Sequence, residues 1–198
     1  MARPREVTDE AILEAARKVF LEQGPGVATS VIAKELGVSA PALFHRFGSK
    51  RALMIAALKP SRAPELLDGG FDAAVPVDEQ LLSIATRFVA FFLSMSREMA
   101  TLAAAGITPS EIFVSYEGEP PPILTLRRLA TWFAEAQSAG RVREGDTVAM
   151  AMAFMGGVQA PNFLRMTCGA HAPLQISPDH YLPQFVGFFA RGVALEVA

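Results

Sequence analysis

The residues with the clearest chemical potential lie between Thr29 and Lys50, in the stretch TSVIAKELGVSAPALFHRFGSK. Arg46 and Lys50 are cations four residues apart, one a planar fork and the other a mobile point charge, and both suit phosphate oxygens. Thr29, Ser30 and Ser39 add hydroxyls, and Phe44 and His45 add rings beside them. Ala40 and Pro41 are small enough to bring a backbone close to base edges and thymine methyls. Phosphate contacts set register on a duplex, and short side chains at the groove read its bases. Other chemistry is poorly supplied. Cys168 and His171 have the spacing of a nucleophile and base or of half a metal site, but such a pair more often arises incidentally at a helix end. The histidines His45, His171 and His180 fall on separate elements, and there is no phosphate-cradling glycine loop. Neither an enzyme nor a metal or other cofactor is expected.

Positioning these groups requires two short helices and a tight turn. Ile32, Ala33 and Leu36 give the first helix one apolar face, and Gly37 follows where a helix end needs positive φ. Ser39 then stands as an N-cap, with Pro41 harmless in a first turn that has no intrahelical N–H partners. Leu43 and Phe47 aim the second helix back at the first. Helix, short turn and helix, over about residues 29–48, is the geometry that lays a second helix in the DNA major groove.

The stretch resembles the N-terminal DNA-binding segment of the TetR (tetracycline repressor) family of bacterial transcriptional regulators. The residues that carry the likeness are Thr29, Ile32, Ala33, Gly37, Val38, Ser39, Leu43, Phe44, His45, Arg46, Phe47 and Lys50. It covers roughly the first 55 residues. Phe44 stands where the family usually has Tyr, which removes a hydroxyl contact to phosphate, and Arg46 stands where it usually has His. The resemblance implies a homodimer on a palindromic operator in double-stranded DNA, paired through the last two helices. It also implies an inducer bound in the following domain.

The chain is 51% hydrophobic and 19% charged over 198 residues, enough to bury a large core. Its single cysteine excludes an internal disulfide and suits a reducing cytoplasm. The first residues, MARPREVTDE, lack the apolar core of a signal peptide, and the uncharged run 147–164 contains Gly, Gln, Pro and Asn, so a buried helix is expected rather than a membrane span. Net charge is −2, yet residues 1–60 hold nine Lys/Arg against six Asp/Glu, a balance of +3 that suits a polyanion. Arg3 and Arg5 in the leading segment could enter a minor groove beside the bound helix.

Periodicity elsewhere is helical throughout, with no strand alternation. Thr8 caps a first bracing helix with Ile12, Ala16, Val19 and Phe20 on its buried stripe. Lys50–Leu58 is a fourth helix, stopped by Lys59-Pro60. Residues 59–76, with their prolines and Gly69-Gly70, mark the boundary between a DNA-binding domain, 1–58, and a second domain, 59–198. A buried helix spans 78–96, and 97–106 either continues it or forms a separate helix. Further helices are expected at 109–116, 123–139 and 147–166, and from Ser177 to about Val193, where Pro183 implies a kink or later start.

The second domain is rich in large adaptable side chains. Phe88, Phe91, Phe92, Met95, Phe113, Tyr116, Trp132, Phe133 and Phe154 form an ordinary core or, as a group, line an apolar ligand pocket, with Gln159 and Asn162 to orient the ligand. The fold expected is all-α: a three-helix helix-turn-helix domain followed by a ligand-binding and dimerisation bundle. The function expected is a repressor released from DNA by a small apolar effector. The alternatives are an activator, or a ligand-binding or catalytic bundle with a vestigial N-terminus.

Overall fold

The structure, a computed structural model, describes residues 7–60, 69–169 and 177–195. Within these the chain is helical: α1 (Asp9–Gln23), α2 (Thr29–Leu36), α3 (Ala40–Phe47), α4 (Lys50–Leu58), α5 (Val77–Ala104), α6 (Pro109–Val114), α7 (Pro121–Ser138), α8 (Thr147–Cys168) and α9 (Pro178–Val193). Among the described residues the one β feature is an isolated antiparallel bridge between Val142 and Ala194. No described helix is long and apolar enough to cross a membrane.

The chain divides into two compact units that are not consecutive in sequence. One contains residues 1–61 and 94–120; the other contains 62–93 and 121–198. The division falls inside α5, which is continuous because no Gly or Pro interrupts it between Val77 and Ala104. It ends at Ala104, and Gly106 two residues on takes a φ of 68° that lets the Ile107 N–H turn back to the Leu102 carbonyl at 3.0 Å.

The first unit is built around Ile12, Ala16, Val19 and Phe20 of α1, as their spacing indicates. Ile32, Ala33, Leu43, Leu53, Met54 and Leu58 close on that stripe from α2, α3 and α4. Leu102, Ile107 and Ile112 join the same apolar cluster, which is why 94–120 belongs with the N-terminal helices. Residues so distant in sequence cannot be assigned to one core from periodicity, which reports only which face of a helix is apolar.

The second unit packs α7, α8, α9 and the first part of α5. Leu81, Phe88, Leu129, Trp132, Phe133, Phe154 and Val186 are among its buried residues. Here α7 begins earlier than the pattern indicates, at Pro121, because proline is tolerated in a first turn. Pro161 lies inside α8 and has no N–H, so the Gly157 carbonyl four residues back loses its helical partner. The Tyr181 hydroxyl on α9 donates to that carbonyl at 2.8 Å. Gly157 also permits the approach of α9: a Cβ there would lie 2.2 Å from the Phe185 ring. Pro183 is exposed and α9 runs through it from Pro178, so the later start does not occur.

Candidate nucleic-acid interface

The turn between α2 and α3 is fixed by backbone bonds before any side chain acts. Gly37 takes φ 68°, its N–H reaches Lys34 O at 3.2 Å, and the Val38 N–H reaches Ala33 O at 3.0 Å. This pair of bonds satisfies carbonyls that would otherwise end the helix without partners. Ser39 Oγ then accepts from the Ala42 N–H at 3.3 Å and starts α3. Ser49 Oγ repeats the device for α4, accepting from Ala52 N–H at 3.0 Å.

Leu43 is the single fully buried residue of α3 and anchors it to the core of the first unit. Ser39, Pro41, Phe44, His45 and Arg46 are exposed, Ala40 and Lys50 are half-buried, and Ser30 is exposed at the start of α2. Ala42 is exposed as well, a position that sequence reading passed over. Its signal was present: it precedes the buried Leu43 and so lies off the anchored face. Thr29 is buried, which limits its hydroxyl as a contact to an outside backbone. Arg3 and Arg5 lie outside the described residues.

Arg46 has a partner that the sequence did not indicate. Its Nη1 donates to Asp9 Oδ1 at 3.1 Å and to the Val7 carbonyl, tying the end of α3 to the start of α1. Arg51 was also missed. Its Nε and Nη2 donate to Glu111 Oε1 at 3.0 and 2.6 Å, and Nη2 also reaches Gly106 O at 3.0 Å. Glu111 in turn accepts from the Thr108 N–H at 2.9 Å in a capping box. That backbone bond, then Arg51, then the Thr108 hydroxyl hold its carboxyl down at about 2. The Thr108–Glu111 spacing is legible in sequence; the Arg51 partner is not. Arg17 pairs with Glu98, whose carboxylate is buried.

The candidate pocket residues fall in two groups. Phe88, Trp132, Phe133 and Phe154 are buried in the core of the second unit, with Phe91 and Phe92 half-buried against it. Trp132 and Phe133 meet edge to face at 5.1 Å, and the rings of Phe88 and Phe92 lie tilted to one another at 5.7 Å. Gln159 and Asn162 on α8 are half-buried, and Asn162 Oδ1 accepts from Arg165 at 2.9 Å. Met95, Phe113 and Tyr116 belong instead to the first unit. There the Tyr116 hydroxyl donates to the Pro60 carbonyl, and burial pushes its phenol up to about 12. Cys168 is exposed, and His171 lies outside the described residues. Among the described residues no cluster of His, Cys, Asp or Glu has the composition to hold a metal ion.

Residues 12–57 match the sequence model of the bacterial regulatory proteins of the tetR family. Residues 12–57 are a TetR-family DNA-binding segment. The match spans α1 to α4 and contains the α2–turn–α3 unit, so DNA binding is the function of this TetR-family segment. No curated protein matches the sequence. Among solved structures, the chain is similar to the flavonoid-responsive regulator FrrA, at 24% identity and a TM-score of 0.64 over 94% of this chain and 96% of that one. It is also similar to a protein assigned to the TetR family from Mesorhizobium loti, at 17% identity and a TM-score of 0.71 over 94% and 96%. A third, from work on control of antibiotic production by a bacterial hormone, has 19% identity and a TM-score of 0.62 over 93% and 96%. At these identities the likeness shows the all-α fold.

Proposed function

We propose that this chain is a cytoplasmic, homodimeric repressor of the TetR family that leaves a palindromic operator when a small apolar molecule binds in the region after residue 58. The observation that carries DNA reading is the single-anchor construction of α3: Leu43 is 1% exposed while Ser39, Pro41, Ala42 and His45 face outward. A helix held by one buried residue leaves the rest of its surface for a groove. Ser39, Ala40, Pro41 and Ala42 take the base edges in this reading. Ser30, Phe44, His45, Lys50 and the leading arginines Arg3 and Arg5 take the backbone, with Thr29 and Arg46 supporting the fold of the reading unit.

Dimerisation is supported by apolar surface on the last two helices. Phe188 is 74% exposed, Phe163 64% and Met166 61%. Exposed apolar surface of this kind marks association in soluble proteins. A two-fold dimer places two reading helices roughly 34–36 Å apart, as successive major grooves require.

Effector control is supported by the aromatic content around Phe88, Phe92, Trp132 and Phe154, and by structural relatives named for response to a flavonoid and for control by a bacterial hormone. An apolar ligand that binds the DNA-incompetent state better must weaken operator binding, and operator must weaken ligand binding by the same factor. Calorimetric titration with and without operator tests this. Equal ligand affinity in both titrations removes the switch and leaves the aromatic cluster as core.

A further inference from the structure

A cleft of about 820 Å³ opens on the second unit between the start of α5, the turn after α7 and the last turns of α9. Its charged lining is Arg141, Arg143 and Arg191 against the single carboxylate of Asp78. This concentration runs against the surrounding charge, since residues 61–198 hold nine Arg/Lys and fourteen Asp/Glu. The three arginines come from two places in the chain, the 141–143 turn and the end of α9, which backbone contacts bring side by side. The bridge between Val142 and Ala194 brings the 141–143 turn alongside the end of α9, with the Arg143 N–H on Val193 O at 2.7 Å and the Leu195 N–H on Arg141 O at 3.1 Å. Arg141 is further fixed by donating from Nη1 to the Ala73 carbonyl. Gly187 has no side chain to fill the floor, and the position its Cβ would take is 3.6 Å from Arg191 Nη1.

The rest of the lining is aliphatic, including Val77, Ala190 and Leu195. We propose that this cleft binds a small amphiphilic organic anion, with its oxyanion in the forks of Arg143 and Arg191 and its carbon frame on the aliphatic wall. Carboxylate and phosphate share the geometry that guanidinium forks recognise. An inorganic ion would leave the apolar wall uncovered, and an apolar molecule would leave the cations without a counter-charge. The site is separate in composition from the aromatic cluster of Phe88, Trp132 and Phe154, so its ligand is of a different class from an apolar effector.

The test is calorimetric titration of the full chain with four probes: phenylacetate, phenyl phosphate, 2-phenylethanol and inorganic phosphate. Saturable binding of phenylacetate or phenyl phosphate is expected, at least about tenfold tighter than 2-phenylethanol or inorganic phosphate. Which of the two aryl anions binds better assigns the head group. The double variant Arg143→Ala, Arg191→Ala should lose that binding by about tenfold or more, while Arg165→Ala on α8 keeps it. Circular dichroism confirms the fold, and Arg191→Gln serves as a milder variant. Absence of saturable binding by either aryl anion overturns the proposal. So does binding that survives both cleft variants, or equally tight binding of 2-phenylethanol or inorganic phosphate. None of these outcomes depends on DNA, so failure here is distinguishable from failure of the repressor reading.

Discussion

Arg51 on α4 grips Glu111 on α6 through two nitrogens, at 3.0 and 2.6 Å, across sixty residues of sequence. The same guanidinium reaches the carbonyl of Gly106 at the end of α5. One side chain thus joins the helix after the DNA-reading element to the α5–α6 turn. Glu111 is held at about 2, below its unfolded value near 4.3, so its stabilising effect is full above that value and is lost as pH falls toward 2. Urea denaturation at a series of pH values should therefore show wild type more stable than Glu111→Gln at pH 6, with the gap closing between about pH 4.5 and 2. A gap that stays constant over that range would remove the ionised carboxylate as its source.

Lys50 and Arg46 are expected to separate in a salt titration of operator binding. Among the described residues Lys50 has no ion-pair partner to give up, and it lies at the start of α4; replacing it with Ala should lower the slope of log affinity against log salt by about one. Arg46 already pairs with Asp9, so Arg46→Ala should weaken binding with a smaller change in slope. Fluorescence anisotropy at several salt concentrations reads both. Equal slope losses would mean that the Arg46–Asp9 pair opens on DNA.

Phe188→Glu places a charge on the most exposed aromatic of α9, at 74% exposure, and should convert a dimer to a folded monomer. Light scattering with circular dichroism distinguishes dissociation from unfolding. A variant that remains dimeric would move the interface away from this face.

The contact of α8 with α9 should be sensitive at two positions. Tyr181→Phe leaves the Gly157 carbonyl without its donor and should cost about 1–2 kcal/mol. Gly157→Ala forces a methyl into the Phe185 ring and should cost about 1–3 kcal/mol. Thermal and urea unfolding measure both, and a neutral Gly157→Ala would show that the ring has room to move.

Much of the reading element was legible because its signals are local. Gly37, Ser39 and Pro41 act on residues within a few positions, and the structure uses the turn and cap chemistry that their types imply. The helices capped by Thr8, Thr108 and Asp146 were legible for the same reason. What stayed hidden is long-range. Arg46 with Asp9, Arg51 with Glu111, and the Arg141–Arg143–Arg191 cleft each join residues from different helices or turns, and composition carries no record of such pairings. The grouping of Met95, Phe113 and Tyr116 with the N-terminal helices was hidden likewise, since an apolar stripe does not name the core it enters.

DNA reading by α3 is tested most directly by affinity for the DNA upstream of the chain's own gene, measured by anisotropy at fixed salt beside a scrambled duplex of equal length. The wild-type chain should bind the upstream site at least about 10³-fold tighter than the scrambled one. Replacing exposed Ala42 with Glu, which leaves Leu43 in its core and places a carboxylate against the groove, should remove that preference while the protein stays folded. Equal affinity of the wild-type chain for both duplexes, or full discrimination by the folded Ala42→Glu variant, would contradict recognition through this helix.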